Sequence, residues 1–335
     1  MNLAGIKDIW RNKNKRKALL IGLLLAALFL VDIFYLSGIL GWKFGAWGTV
    51  MHEVFLAASG VVVFLIFRGK LTVIYPFRKP ELVKIAGTLV FWLGTYFITI
   101  LVTGIIMYFF PEQVLGASEG VNDLVNSIPV LIGLLVVALT PAICEEMAFR
   151  GALLGCFRGS KKSQFIGLVL VSLFFGACHG SIWRMVPTAI LGFAMGYILL
   201  ETDNMCYNML FHFVNNALPV LTLGLISMFS ELAGGEDILY MAAGELASGA
   251  SDLRLPAATI GTYLIYAGAA PMLLHIGNYL LHRGQPGYDR GVFPPEKKQQ
   301  MVLMIGIGLG GFALGILLVV VSALIQTSGM LRSFY

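Results

Sequence analysis

Apolar runs of roughly twenty residues, joined by short polar links, recur along almost the whole of this 335-residue chain. A helix needs about 20 predominantly apolar residues to cross a bilayer. Nine stretches fit, at about 18–40, 46–67, 85–110, 128–157, 164–182, 185–200, 205–229, 257–281 and 301–326. Composition agrees: 58% of residues are hydrophobic and 12% charged, with a mean hydropathy of +0.84. Soluble domains average about 45–50% apolar and about 25% charged. No polar stretch is long enough to build a soluble domain. The fold expected is an all-α, polytopic membrane helix bundle of about nine transmembrane helices. The first run is too long for a signal-peptide core and lacks a small-residue cleavage site, so it reads as a retained helix.

Charge sorts the links onto two sides. Lys7, Arg11, Lys13, Lys15, Arg16 and Lys17 precede the first helix, and basic residues cluster again in 68–84, 158–163 and 282–300. By the positive-inside rule these segments, and the amino terminus, are cytoplasmic. The links 111–127 and 230–256 carry mainly Asp and Glu and read as external. The net charge of +5 is therefore loop bias. No basic patch is interleaved with exposed aromatics, so nucleic-acid binding is excluded. All four cysteines lie in or beside apolar runs and read as free, buried thiols. Short termini without organelle signals point to a bacterial plasma membrane.

Within this apolar background, Cys144-Glu145-Glu146-Met147-Ala148-Phe149-Arg150 stands out. Charged groups near the middle of a spanning helix cost about 2.5–3.5 kcal/mol each on insertion scales, so they face a polar interior and mark function. Glu146 and Arg150 are four apart, on one helical face, and can pair. Glu145 points about 100° away and is free to face something else. Two of the five histidines are also patterned. Phe175 and His179 are four apart, and Asn208, His212 and Asn216 form a stripe along another helix.

Glu-Glu-x-x-x-Arg, then Phe-x-x-x-His, then His-x-x-x-Asn, on successive helices, resembles the CAAX prenyl endopeptidase/bacteriocin-processing (CPBP, or Abi) intramembrane proteases. The resemblance covers roughly 128–229. It divides the chain into an N-terminal three-helix segment (1–127), a core carrying the motifs (128–229) and a C-terminal two-helix segment (230–335). It implies an eight-helix-type bundle with a conical, water-filled cavity in which a peptide bond is hydrolysed. Glu145 matches the catalytic glutamate, Glu146 and Arg150 its supporting pair, and His179, His212 and Asn216 the remaining polar positions. The substrate implied is a membrane-associated peptide or protein, of CAAX type or a bacteriocin or leader peptide.

Amide hydrolysis needs an activated water, a stabilised oxyanion and a protonated leaving amine. Glu145 with a histidine meets the first need, and His212 with Asn216 the second. No His-Glu-x-x-His helix is present, which excludes an ordinary zincin. Zinc on Glu145, His179 and His212 and a metal-free glutamate–histidine pair both remain open. A helix starting at Gln164 puts His179 deeper than His212, so the link 158–163 must adjust. Cys144 and Cys178 directly precede Glu145 and His179, and both read as structural. Asp32, His52, Glu53 and His275 are further ionisable residues in apolar runs, with Asp32 and His52 at similar depth. They support a second class, a proton-coupled transporter, although inverted repeats are absent. A catalytically silent scaffold of the same fold is a third.

Overall fold

The computed structural model describes residues 15–232 and 257–332. The basic residues Lys7, Arg11 and Lys13 and most of the acidic stretch 230–256 lie outside the described residues. Those described form helices with no strand. Among the described residues eight helices are long and apolar enough to span a bilayer, against the nine expected. The missing one is α9 (Lys161–Ala177), whose 17 residues rise only about 25 Å. The chain is thus an integral, multi-pass membrane protein.

Two compact units emerge, one from 1–81 with 121–224 and the other from 82–120 with 225–335. The first unit opens with α1 (Lys15–Val31), which passes through a π-helical stretch, Asp32–Leu36, into α2 (Ser37–Phe44). Gly45, at φ +58°, turns the chain into α3 (Ala46–Ile66), and the short α4 is Leu71–Ile74. The fourth run is α7 (Val130–Gly133), a π-helical stretch Leu134–Leu139, α8 (Thr140–Glu145) and a second such stretch, Glu146–Leu153. Then come α9, α10 (Ile182–Thr202) and α11 (Met205–Leu232), whose last residues pass into the second unit.

Small residues set the close approaches. A Cβ on Gly176 of α9 would fall 2.4 Å from the Met185 carbonyl oxygen of α10, and one on Gly196 would meet Leu168. The two helices therefore run antiparallel in tight contact. A polar clasp ties the ends of this unit. Asn204 accepts from the Arg78 amide and donates to its carbonyl, the Met205 amide donates to Pro76, and Arg158 donates to the Val73 carbonyl at 2.8 Å. Burial pulls the Arg158 guanidinium down from its usual value, and Asp203, 3.7 Å away, opposes that. Beside it, burial pushes the Cys156 thiol up to about 12.

The second unit contains α5 (Leu82–Phe109), α6 (Pro111–Ser127, its last residues in the first unit), α12 (Ala257–Leu281) and α13 (Lys298–Arg332). The acidic link 111–127, expected as a loop, is thus a helix. Gly261 and Gly268 of α12 face Gly315 and Gly308 of α13 so closely that an added Cβ would lie within 2.8 Å of the opposing carbonyl oxygen. Small residues let membrane helices approach in this way, where hydrophobic burial gives no drive between them.

Candidate active site

Glu146 opens the second π-helical stretch of its run and is fully buried. Its Oε1 accepts from Arg150 Nη1 at 2.8 Å and lies 3.0 Å from His212 Nδ1, while Oε2 accepts from Asn208 Nδ2 at 2.5 Å. An ionised carboxylate only accepts, so His212 directs its Nδ1 proton at Glu146 and keeps the Nε2 lone pair. Arg150, 1% exposed, places its guanidinium carbon over the Phe175 ring at 3.9 Å from the centroid. That cation–π contact accompanies the salt bridge inside an aromatic cluster of Phe149, Phe174 and Phe175.

Glu145 ends α8 and has a different environment. Its side chain is 17% exposed and its Oε2 lies 3.6 Å from His212 Nε2, too far for a direct hydrogen bond. No protein group hydrogen-bonds that oxygen. The two glutamates therefore differ: Glu146 is held by three donors, while Glu145 keeps a buried oxygen with no protein partner.

His179 lies just beyond α9, its Nδ1 donating to the Phe175 carbonyl at 2.8 Å. Phe175 touches both imidazoles, with centroid distances of 4.8 Å to His179 and 6.1 Å to His212. His179 also lies within electrostatic reach of Glu145 and Arg184. His179 is 18 residues past the start of α9, and His212 is seven past the start of α11. At 1.5 Å per residue these are about 27 and about 10 Å, so the path of α9 and the link before it absorb the difference. That link is anchored by Arg158. Asn216 stands apart: its Nδ2 donates to the Val137 carbonyl at 3.1 Å and its Oδ1 accepts from Asn215.

A second group of buried polar residues adjoins Glu145. His52 Nδ1 is 3.1 Å from Asp32 Oδ2, the pairing their equal depth predicts, and its Nε2 is 3.6 Å from Glu53 Oε1. The Glu53 carboxyl in turn lies within electrostatic reach of Glu145 and Asp32. The motifs do not include Asn208, Glu53 or Arg184. An ionisable side chain in an apolar run is the available signal for Glu53, and the polar stripe is that for Asn208. His275, the other unassigned residue, bonds the Val292 carbonyl in the second unit.

Among the described residues no group of three or more His, Cys, Asp or Glu side chains is placed to hold a metal ion. Glu145, His179 and His212 are thus not gathered into such a group in this arrangement. The four cysteines are all free, with Cys144 and Cys178 buried.

Fold and site together define a polytopic, all-helical membrane protein with a carboxylate–imidazole centre enclosed among its helices. Residues 127–218 match the family model described as type II CAAX prenyl endopeptidase Rce1-like, so the resemblance carried by the motifs is borne out over that segment. The family points to an intramembrane protease. Neither curated proteins nor solved structures give a match to the chain.

Proposed function

We propose that this protein is an intramembrane endopeptidase in which Glu145 activates a water against a peptide bond of a membrane-associated substrate. The observation that carries this reading is the unequal treatment of two neighbouring carboxylates. Glu146 is saturated by Arg150, Asn208 and His212, whereas Glu145 keeps an oxygen without a protein partner opposite His212 Nε2. Two acceptors 3.6 Å apart have no proton between them, so a water admitted as the two side chains part would donate to both.

Glu145 then takes a proton from that water while the hydroxide oxygen adds to the amide carbon. As the carbon–nitrogen bond breaks, the proton passes to the leaving amine, by way of His212 Nε2 or directly from Glu145. Imidazolium at His212 would sit between two carboxylates, which favours that intermediate charge. His179, whose Nδ1 donates to the Phe175 carbonyl, keeps the Nε2 lone pair and can accept a hydrogen bond from the water or from the leaving amine. A CAAX-type carboxyl-terminal peptide is the substrate class supported by the family match.

The test is cleavage of a quenched CAAX peptide, prenylated or unmodified, by the full chain in liposomes. Turnover by wild type and its loss in Glu145→Gln are expected. A Glu145→Gln variant that cleaves at the wild-type rate overturns the reading. Exhaustive chelation should leave turnover intact. Loss on chelation with restoration by zinc would reinstate Glu145, His179 and His212 as a metal centre.

A further inference from the structure

A cavity of about 880 Å³ lies between α1 and α9, wholly within the first unit. We propose that it is a binding slot for an anionic phospholipid, whose acyl tail runs between the two helices and whose headgroup meets Lys162. Lipid binding there is independent of any peptidase activity.

Two adjacent residues build the slot by holding its walls apart. A Cβ on Gly22 of α1 would lie 3.7 Å from that of Cys156, and one on Gly167 of α9 would run into the Phe157 side chain. Thus α1 rests on Cys156 and α9 on Phe157, and the two helices do not pack on one another along their length. Ala18, Gly22 and Ala26, spaced by four, share one face of α1 and keep that wall thin. Leu19 and Leu23 on one wall and Ile166 and Leu170 on the other are exposed, so the slot opens sideways to hydrocarbon. From Lys162 to Phe174 it follows α9 for about 18 Å, at 1.5 Å per residue, enough for most of an acyl tail.

Charge selects the headgroup. Ser160, Lys162 and Ser163 gather at one end of the slot, and among the described residues no Asp or Glu lines it. Lys161 and Lys162 are exposed there, and exposed Arg16 precedes Ala18 at the start of α1. Lys17 is not available, because its ammonium donates to the Phe67 carbonyl at 2.8 Å. An apolar slot with a basic mouth matches a long tail carrying a negative head, drawn from the leaflet that the charge pattern makes cytoplasmic. A zwitterionic lipid satisfies the slot but not its mouth. Phe174 closes the inner end: its ring lies 6.0 Å from that of Phe149, which packs in turn on Phe175 and beside Arg150. That aromatic layer stands between the slot and the Glu146–Arg150 pair, so a chain seated here is separate from one presented to Glu145. A headgroup held at Lys162 would pin the start of α9, whose 17 residues are short for a crossing, to the membrane surface.

The experiment adds phosphatidylglycerol or phosphatidylcholine to the full chain in detergent and counts retained lipid by native mass spectrometry. Wild type should keep one phosphatidylglycerol and hold it about fivefold more tightly than phosphatidylcholine, the usual effect of one basic residue near the surface. Phosphatidylglycerol should also raise Tm more than phosphatidylcholine does. Lys162→Glu should erase both differences without lowering Tm in phosphatidylcholine, since a glutamate is favourable in a first helical turn. Ala26→Phe fills the slot and should expel both lipids. Equal affinity of wild type for the two lipids, or an unchanged preference in Lys162→Glu, overturns the proposal. So does full retention of phosphatidylglycerol by Ala26→Phe. Because Lys162 is exposed, its variant keeps the test decisive whatever the yield of Ala26→Phe. Displacement of the retained lipid by a farnesylated CAAX peptide would assign the slot to a substrate's isoprenoid and overturn the phospholipid as its occupant.

Discussion

Glu146 draws three donors and Glu145 Oε2 none, and that difference decides what each substitution should do. Glu145→Gln removes a charge whose burial is unfavourable, so the variant should fold and insert normally. Its turnover should fall by roughly 10²–10⁴-fold, the usual contribution of a general base. Arg150→Ala leaves the fully buried Glu146 without a countercharge, and breaking a buried pair typically costs about 3–5 kcal/mol. Low yield or a depressed Tm in detergent is expected, relieved in part by adding Glu146→Gln. A stable, inactive Arg150→Ala beside an unstable Glu145→Gln would reverse the two roles. The split between the glutamates was legible in the sequence, because residues one apart on a helix diverge and residues four apart converge. The third donor, Asn208, was visible only as part of a stripe. Which carboxylate it meets depends on how α11 rotates against α8, and no local pattern fixes that rotation.

Three π-helical stretches interrupt the first and fourth apolar runs, and two of them begin on buried acids, Asp32 and Glu146. Such stretches are rare and concentrate at functional sites, since the extra residue re-aims side chains and loosens the backbone ladder. Around Leu134–Leu139 the loosened carbonyls find side-chain donors: Thr140 bonds Leu135 and Asn216 bonds Val137. This is the physical reason Asn216 leaves the Glu145 cluster even though its spacing from His212 puts it on the same face. An apolar run contains no mark of an extra residue per turn, so the sequence read one uninterrupted helix over 128–157. Packing of α9 on α10 is easier to disturb. Gly176→Ala would press a methyl group to within 2.4 Å of the Met185 carbonyl oxygen, next to Phe175 and one turn before His179. Overpacking of this kind costs about 1–3 kcal/mol. Lowered Tm together with lowered kcat is expected, because His179 follows directly on α9. Gly315→Ala, facing Gly261 in the other unit, should lower Tm as well. A Gly176→Ala protein with wild-type Tm and turnover would show that α9 and α10 are not in such close contact.

The all-helical, multi-pass architecture follows from hydropathy alone, since twenty apolar residues satisfy their own backbone only as a helix. Counting crossings is harder, and α9 is where the count turns. Its 17 residues are fewer than those of any of the eight spanning helices, yet Leu168, Ser172 and Gly176 of α9 lie level with Gly196, Gly192 and Ala189 of α10. An element running antiparallel to a spanning helix over that length reverses the side of the membrane as a full crossing does. Parity then requires segment 68–81 and segment 282–297 to share one side, with α6 on the other. The sequence reaches the same arrangement independently, because Lys70, Arg78 and Lys79 and then Arg283, Arg290 and Lys297 fall in the two segments meant to be cytoplasmic. Cysteines introduced at Lys79, Glu119 and Asp289, all exposed positions, make this measurable with a membrane-impermeant maleimide on intact cells. Glu119→Cys should label directly, while Lys79→Cys and Asp289→Cys should label only after permeabilisation. If Asp289→Cys instead labels with Glu119→Cys, α9 is not a crossing.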